Sequence, residues 1–355
     1  MRKTKSARIK LAALLCTAAG TALAQSGVTL YGVADVGVEY LSNAAAKGSK
    51  GSAYRLSSGN MSTSRWGLRG IEDLGGGLKA VFDLESGFNL DDGGQGGNRL
   101  FDRSAVVGLA GDFGQVTLGR QTTPLYDTTI RLDPMGFAPR YSLFRSDAVL
   151  AGRADNAIKY RRSVSGLTVT ALYSFGRTGA GEVPGDNKVD RSLGGSLYYE
   201  NDTFAAGLVY DEYQGTSVAA RNQKDRRVAL GASYAFGPLS PYAGYRWLNG
   251  DVGGEVRSNL YWLGLRYKAT PALSFSGAAY YTDFRNSNAD PMMFAASASY
   301  VLSKRTDVYF NAAFARNKNG SELGLNGFNA TTGAPNSVIP GRNQTGVVAG
   351  VRHRF

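Results

Sequence analysis

Apolar and polar positions alternate with a period of two through most of the chain. Between residues 28 and 40 the even positions read Val28, Leu30, Gly32, Ala34, Val36, Val38 and Tyr40. The odd ones read Thr29, Tyr31, Val33, Asp35, Gly37 and Glu39. The same split recurs over 228–236, 273–281, 308–314 and 345–355. A period of two belongs to strands whose faces meet different surroundings. Sixteen segments carry it: 27–40, 60–71, 78–88, 100–110, 115–121, 154–163, 167–176, 190–200, 203–212, 226–236, 239–248, 256–268, 271–283, 291–301, 306–316 and 343–355.

The connections take turns. Short ones fall at 72–77, 111–114, 201–202, 237–238 and 303–305, long polar ones at 41–59, 89–99, 122–153, 177–189, 213–225, 249–255, 284–290 and 317–342. Gly75, Gly76, Gly77, Leu78 and Lys79 lack the spacing of a phosphate loop and read as one of the turns. Strict short–long alternation sends all loops to one end and all turns to the other. A soluble sandwich also alternates, but it seldom needs sixteen strands in one up-and-down series. A transmembrane antiparallel up-and-down β-barrel accounts for both features, because lipid satisfies no backbone group and a spanning sheet must close on itself. The reading is therefore all-β.

The start of the chain differs. Arg2, Lys3, Lys5, Arg8 and Lys10 precede an uncharged run from Leu11 to Ala24 ending in Ala22, Leu23 and Ala24. This is the pattern of a secretory signal peptide over 1–24, with cleavage near Ala24–Gln25. The run is shorter than the roughly 20 residues that a spanning helix needs. The remainder, 25–355, reads as one barrel domain without cysteine, since Cys16 is the only one. Removing five basic residues lowers the net charge of +12 to +7. His353 is the only histidine. A Ser-His-Asp or Cys-His mechanism is thereby left with one candidate base, beside the terminal Phe355. No GxSxG stands out either, so the chain reads as no enzyme, with no cofactor and no metal site. Asp91, Asp92, Gly93 and Gly94 are acidic and turn-like but lack EF-hand spacing. Phe355 on an alternating strand resembles the C-terminal signature of outer-membrane barrels.

Several blocks resemble the trimeric general porins of beta-proteobacteria. They are Val28 to Asp35, Ser64 to Ala80, Arg103 to Leu109 continuing through Phe113 and Gly114 to Leu118–Gln121, Tyr300 to Thr306, and Gln344 to Phe355. The likeness is strongest over 28–121 and 296–355 and weak in the loops. It implies a sixteen-stranded barrel in the Gram-negative outer membrane, reached through the periplasm. It also implies three barrels to a trimer, in contact with outer-membrane lipid and lipopolysaccharide, and a water-filled pore passing small ions and solutes. The third long loop, about 122–153, is expected to fold into the lumen and narrow it; a loop of this length is usually functional.

The resemblance also implies a group of arginines at the constriction of anion-selective members. The matching positions are Arg65, Arg103 and Arg153, with Arg120, Arg161 and Arg162 as second choices. Parity puts Arg65 on the water side, since Trp66 and Leu68 face lipid. It is equivocal for Arg103, whose parity is shared by Ala105, Val107 and Leu109, and silent for Arg153 at a loop–strand junction. Arginine suits a filter because its charge is permanent and weakly hydrated. Asp127, Asp133 and Asp147 on the inward loop, with Asp83 and Glu85 on a neighbouring strand, are candidate partners. Tyr40, Trp66, Tyr199, Trp247, Tyr261 and Tyr281 fit girdles at the membrane interfaces. A phosphate- or organic-anion-specific channel and a structural or adhesive barrel are the alternatives. Dispersed arginines behind a signal peptide give no support to nucleic-acid binding.

Overall fold

The computed structural model describes residues 27–46, 49–138, 140–325 and 338–355. The expected signal peptide and its cleavage site lie outside the described residues, as does 326–337 within the last long connection. The first strands are β1 (Gly27–Ala46), β2 (Ser49–Ser58), β3 (Arg65–Gly75), β4 (Leu78–Gly87), β5 (Ser104–Gly111), β6 (Gly114–Thr122), β7 (Arg153–Val164), β8 (Leu167–Ser174) and β9 (Ser192–Glu200). They are followed by β10 (Phe204–Gln214), β11 (Lys224–Tyr234), β12 (Leu239–Gly250), β13 (Val256–Lys268), β14 (Leu273–Phe284), β15 (Met292–Val301), β16 (Thr306–Arg316) and β17 (Gln344–Arg354).

From β3 onward each strand pairs antiparallel with the next, and β17 pairs back onto β1 through Val33–Leu41, closing the sheet. On its other edge β1 meets two partners. Val36–Ala46 pairs with β2 and Gly27–Val33 with β3. Those two strands are halves of one stave, so seventeen strands make sixteen staves.

The connection expected over 41–59 is thus corrected: β1 runs on to Ala46 and returns as β2. Exposed Tyr54 and Leu56 alternate there with Ala53, Arg55 and buried Ser57, but flanking Ser, Gly and Lys dilute the period. The segment expected from residue 60 starts at Arg65, because residues 59–64 leave the wall. They wrap the fully buried carboxylate of Asp35, which accepts from the backbone N–H groups of Asn60 (3.2 Å), Met61 (2.8 Å) and Ser62 (2.7 Å). A buried carboxylate needs such donors to offset its lost hydration.

Alternation holds in the wall. On β13, Tyr261, Leu263 and Leu265 are exposed while Leu260 and Trp262 are buried. The inner face is not uniformly wet, however. The segment 123–152 begins with α1 (Pro124–Leu132), whose N-terminus is capped by Thr123 Oγ1 accepting from the Tyr126 N–H. It reaches the inner face of the opposite wall. Trp262 Nε1 donates to the Leu132 carbonyl (2.9 Å), Tyr280 to Asp133 (2.6 Å), and Tyr141 to Glu39 (3.1 Å). Wall glycines make room for it. A Cβ on Gly264 would lie 2.3 Å from Pro134, and one on Gly346 would lie 2.6 Å from the Tyr141 hydroxyl.

A dry core results, with Leu125, Leu132, Leu143, Phe144 and Leu150 of the loop against Leu260, Trp262, Tyr280 and Met293 of the wall. Burial of each large side chain stabilises by about 1.5–3 kcal/mol. The loop therefore fills the β10–β17 side and leaves the polar lumen beside β3–β8.

Candidate functional site

The β3–β4 hairpin sets the first part of the site. Its register places Arg65 opposite Gly87 and Gly67 opposite Glu85, so Arg65 and Glu85 share the inward face. Arg65 Nε lies 3.2 Å from Glu85 Oε2, and its Nη1 donates to the Thr63 carbonyl (3.0 Å). Glu85 also accepts from the Tyr31 hydroxyl (3.1 Å).

Arg103 escapes the parity of β5. Val107 and Leu109 are exposed outward, but the strand starts at Ser104 and Arg103 lies in the bend before it. Its backbone N–H donates to the Glu85 carbonyl (3.2 Å) and its Nε to Glu85 Oε1 (2.6 Å). One carboxylate thus holds two guanidinium groups.

Arg153 opens β7 next to a bulge. The β6–β7 register shifts between Gly119, which pairs with Ala157 and has φ +123°, and Gln121, which pairs with Ala154; Asp155 and Asn156 (φ +46°) bulge between them. An extra residue in one strand re-aims the side chains around it, which is why parity is silent here. Arg153 Nε donates to the Arg103 carbonyl (2.8 Å), and its guanidinium carbon lies 5.5 Å from the Tyr126 ring centroid. No carboxylate of the described residues pairs with it.

These groups line a cavity of ≈ 380 Å³ that continues past Gln121, Thr117 and Lys159 to Gln115 and Arg161 at the short-turn end. The lining sets Arg65, Arg103, Arg153 and Arg161 against Asp83 and Glu85, an excess of two positive charges. The neighbouring Lys159 is balanced by Asp127 of α1 (2.5 Å), which also accepts from Thr122 Oγ1 (2.6 Å). Among the described residues no three His, Cys, Asp or Glu side chains converge as metal ligands do.

Of the residues singled out in the sequence, Arg65, Arg103 and Arg153 come together, with Asp127 beside them through Lys159. Arg120 lies toward the long loops, donating to the Asp102 carbonyl (2.6 Å) and paired with Asp155. Arg161 lies at the opposite end of the cavity. Arg162 follows the outward parity of Ile158 and Tyr160 and does not line this cavity. Asp133 and Asp147 sit on the far wall. Burial pushes the Asp133 carboxyl up. For Asp147 burial opposes ionisation, but Arg227 (2.9 Å) and Arg246 (3.2 Å) outweigh it and hold the carboxyl below its ordinary range.

Tyr126 and Lys159 were not among the sequence candidates. Lys159 shares the parity of Arg161, a usable signal. Nothing in the sequence marks Tyr126, whose direction is set by the loop's path.

A family model described as Gram-negative porin matches residues 11–320. Outer membrane porin protein 32 of Delftia acidovorans is 36% identical, over 99% of this chain and 100% of the relative. An outer membrane porin protein of Bordetella pertussis is 30% identical over 100% of both chains. Among solved structures, the anion-selective porin from Comamonas acidovorans superposes with TM-score 0.79 at 33% identity, covering 93% of this chain and 100% of that one. The outer membrane protein OmpT of Vibrio cholerae, at 14% identity and TM-score 0.66 over 93% and 98%, shares the fold.

Proposed function

The chain belongs to the Gram-negative porin family, outer-membrane channels that pass ions and small hydrophilic solutes, and from that premise we propose that its pore prefers anions. The observation that carries this is the cluster of Arg65, Arg103 and Arg153 around a polar cavity in which basic residues outnumber the two lining carboxylates, Asp83 and Glu85. Fixed positive charge in a narrow lumen raises the local anion concentration and repels cations, without binding any one ion too tightly to leave. The inward loop supplies the opposing wall through Tyr126 and thereby sets the narrow point. The likeness to an anion-selective porin points the same way.

Liposome swelling tests the reading. Proteoliposomes in isotonic solutions of matched size should swell faster with a monovalent organic anion than with a monovalent organic cation, a neutral sugar falling between. Faster entry of the cation refutes it.

Two partners belong to the same proposal. Exposed tyrosines concentrate on β9–β15, at Tyr199, Tyr210, Tyr234, Tyr261, Tyr267 and Tyr300, where they suit a lipid boundary. From β16 round to β6 the exposed outward residues are mainly aliphatic, including Val28, Leu30, Val38, Val107, Leu109 and Leu118. That face is the one for subunit contact in a homotrimer, and light scattering of the detergent-solubilised protein should give three chains per particle. At the long-loop rim Arg257 and Arg285 are exposed, each beside one carboxylate (Glu255 and Asp283), and suit the phosphates of lipopolysaccharide. Residues 1–24 are proposed to be removed on export.

A further inference from the structure

A second cavity, ≈ 250 Å³, adjoins the constriction on the side of the long loops and shares Arg103, Tyr126 and Arg153 with it. Its two walls differ in chemistry. One carries the guanidinium groups of Arg103, Arg120 and Arg153. The other is aromatic: Tyr126 and Phe137 meet edge-on with ring centroids 5.6 Å apart, and Phe137 is backed at 6.0 Å by Phe144, itself buried in the loop core.

The charges are not equivalent. Arg103 is paired with Glu85 and Arg120 with Asp155, whereas Arg153 has no carboxylate partner among the described residues. The carboxylate in the lining, Asp102, is already engaged by the Gly87 N–H (2.6 Å). A purely electrostatic sieve needs no apolar wall opposite its cations, and water gains little from one. An unpaired guanidinium facing aromatic edges matches a ligand that is itself split, anionic at one end and apolar at the other.

We propose that this cavity is a binding subsite for monocarboxylates carrying an apolar ring, with the carboxylate on Arg153 and the ring against Tyr126 and the edge of Phe137. The inference rests on the anion preference proposed above and adds a solute class to it. Such a subsite ahead of the constriction concentrates ring acids at the pore mouth, and it slows chloride while occupied.

The test is chloride current through the purified full-length protein in planar bilayers, with benzoate or gluconate added as the sodium salt at matched ionic strength. Both are monovalent, but only benzoate has an apolar ring. Benzoate should block saturably at millimolar concentration, and gluconate should block at least tenfold more weakly. Equal block by both, or a benzoate effect that rises linearly without saturation, overturns the proposal. The reversal potential in KCl, read on the same channels, separates this failure from a failure of anion preference.

Phe137→Leu keeps the loop core apolar and leaves buried Phe144 in place. It should raise the half-blocking benzoate concentration about three- to tenfold, as expected for losing aromatic edge contacts. An unchanged half-block on channels of normal single-channel conductance also overturns the assignment. If that variant does not assemble, the comparison of benzoate with gluconate on the parent protein decides alone.

Discussion

Neutralising Arg153 by Arg153→Gln removes the one constriction arginine without a carboxylate partner among the described residues. Arg65 and Arg103 both turn their Nε toward Glu85, so a passing ion meets them at longer range and with their donors engaged. Arg153 has only its Nε committed, to the Arg103 carbonyl. Taking an ion at ~6 Å in an effective dielectric of about 40–80, one charge changes its energy by about 0.7–1.4 kcal/mol. Salt at 0.1 M, with a Debye length of about 10 Å, cuts this roughly in half. Losing the charge weakens attraction for chloride and repulsion of potassium together. The chloride-to-potassium permeability ratio should therefore fall about 4- to 13-fold. The assay is the reversal potential across planar bilayers in a tenfold KCl gradient, with single-channel conductance confirming an intact pore. Arg65→Gln and Arg103→Gln should each shift it less. A change below about twofold for Arg153→Gln, or a larger one for Arg65→Gln, refutes the reasoning.

Glu85→Gln frees both guanidinium groups and should raise the chloride preference in the same assay; a lower preference would mean that Glu85 is needed to aim them. Asp147→Asn leaves Arg227 and Arg246 without their nearest carboxylate, so thermal unfolding in detergent should show a loss of about 3–5 kcal/mol. Because the folded Asp147 carboxyl is held below its ordinary pKa of about 3.9, this stabilisation is fully present above that value and is lost as pH falls through the folded one. The gap in melting temperature between parent and variant should thus stay constant from about pH 5 to 8 and close only below about pH 4. Gly264→Val places side-chain atoms where Pro134 sits 2.3 Å from a Cβ, which should cost about 1–3 kcal/mol and raise open-channel current noise. Quiet currents and an unshifted melting temperature would show that the loop yields freely at that corner.

The barrel was legible because its strands face two solvents, and alternation writes that directly into β1, β11, β14, β16 and β17. It failed where the chain serves a third environment. Residues 49–58 pair as strand, yet their Ser, Gly and Lys obey no clear period. Residues 59–64 turn inward to satisfy Asp35, a demand set by a residue far back in the chain. The site was legible only in part. Arg65 followed from parity, but Arg103 depends on a bend and Arg153 on a bulge, neither visible in a period of two. Asp133 and Asp147 looked like partners for those arginines because they share the loop. The loop crosses the lumen instead and spends them on Tyr280, Arg227 and Arg246 of the far wall. Glu85, just past the end of the block from Ser64 to Ala80 that resembles the family, holds two of the arginines.

The most direct test of the central claim is the reversal potential of the unmodified protein in planar bilayers, with a tenfold KCl gradient and about 0.1 M on the dilute side. An excess of fixed positive charge at Arg65, Arg103 and Arg153 predicts a potential of the sign set by chloride, shrinking as both salt concentrations rise and screening shortens. A potential of the sign set by potassium, or one indifferent to salt concentration, contradicts the account.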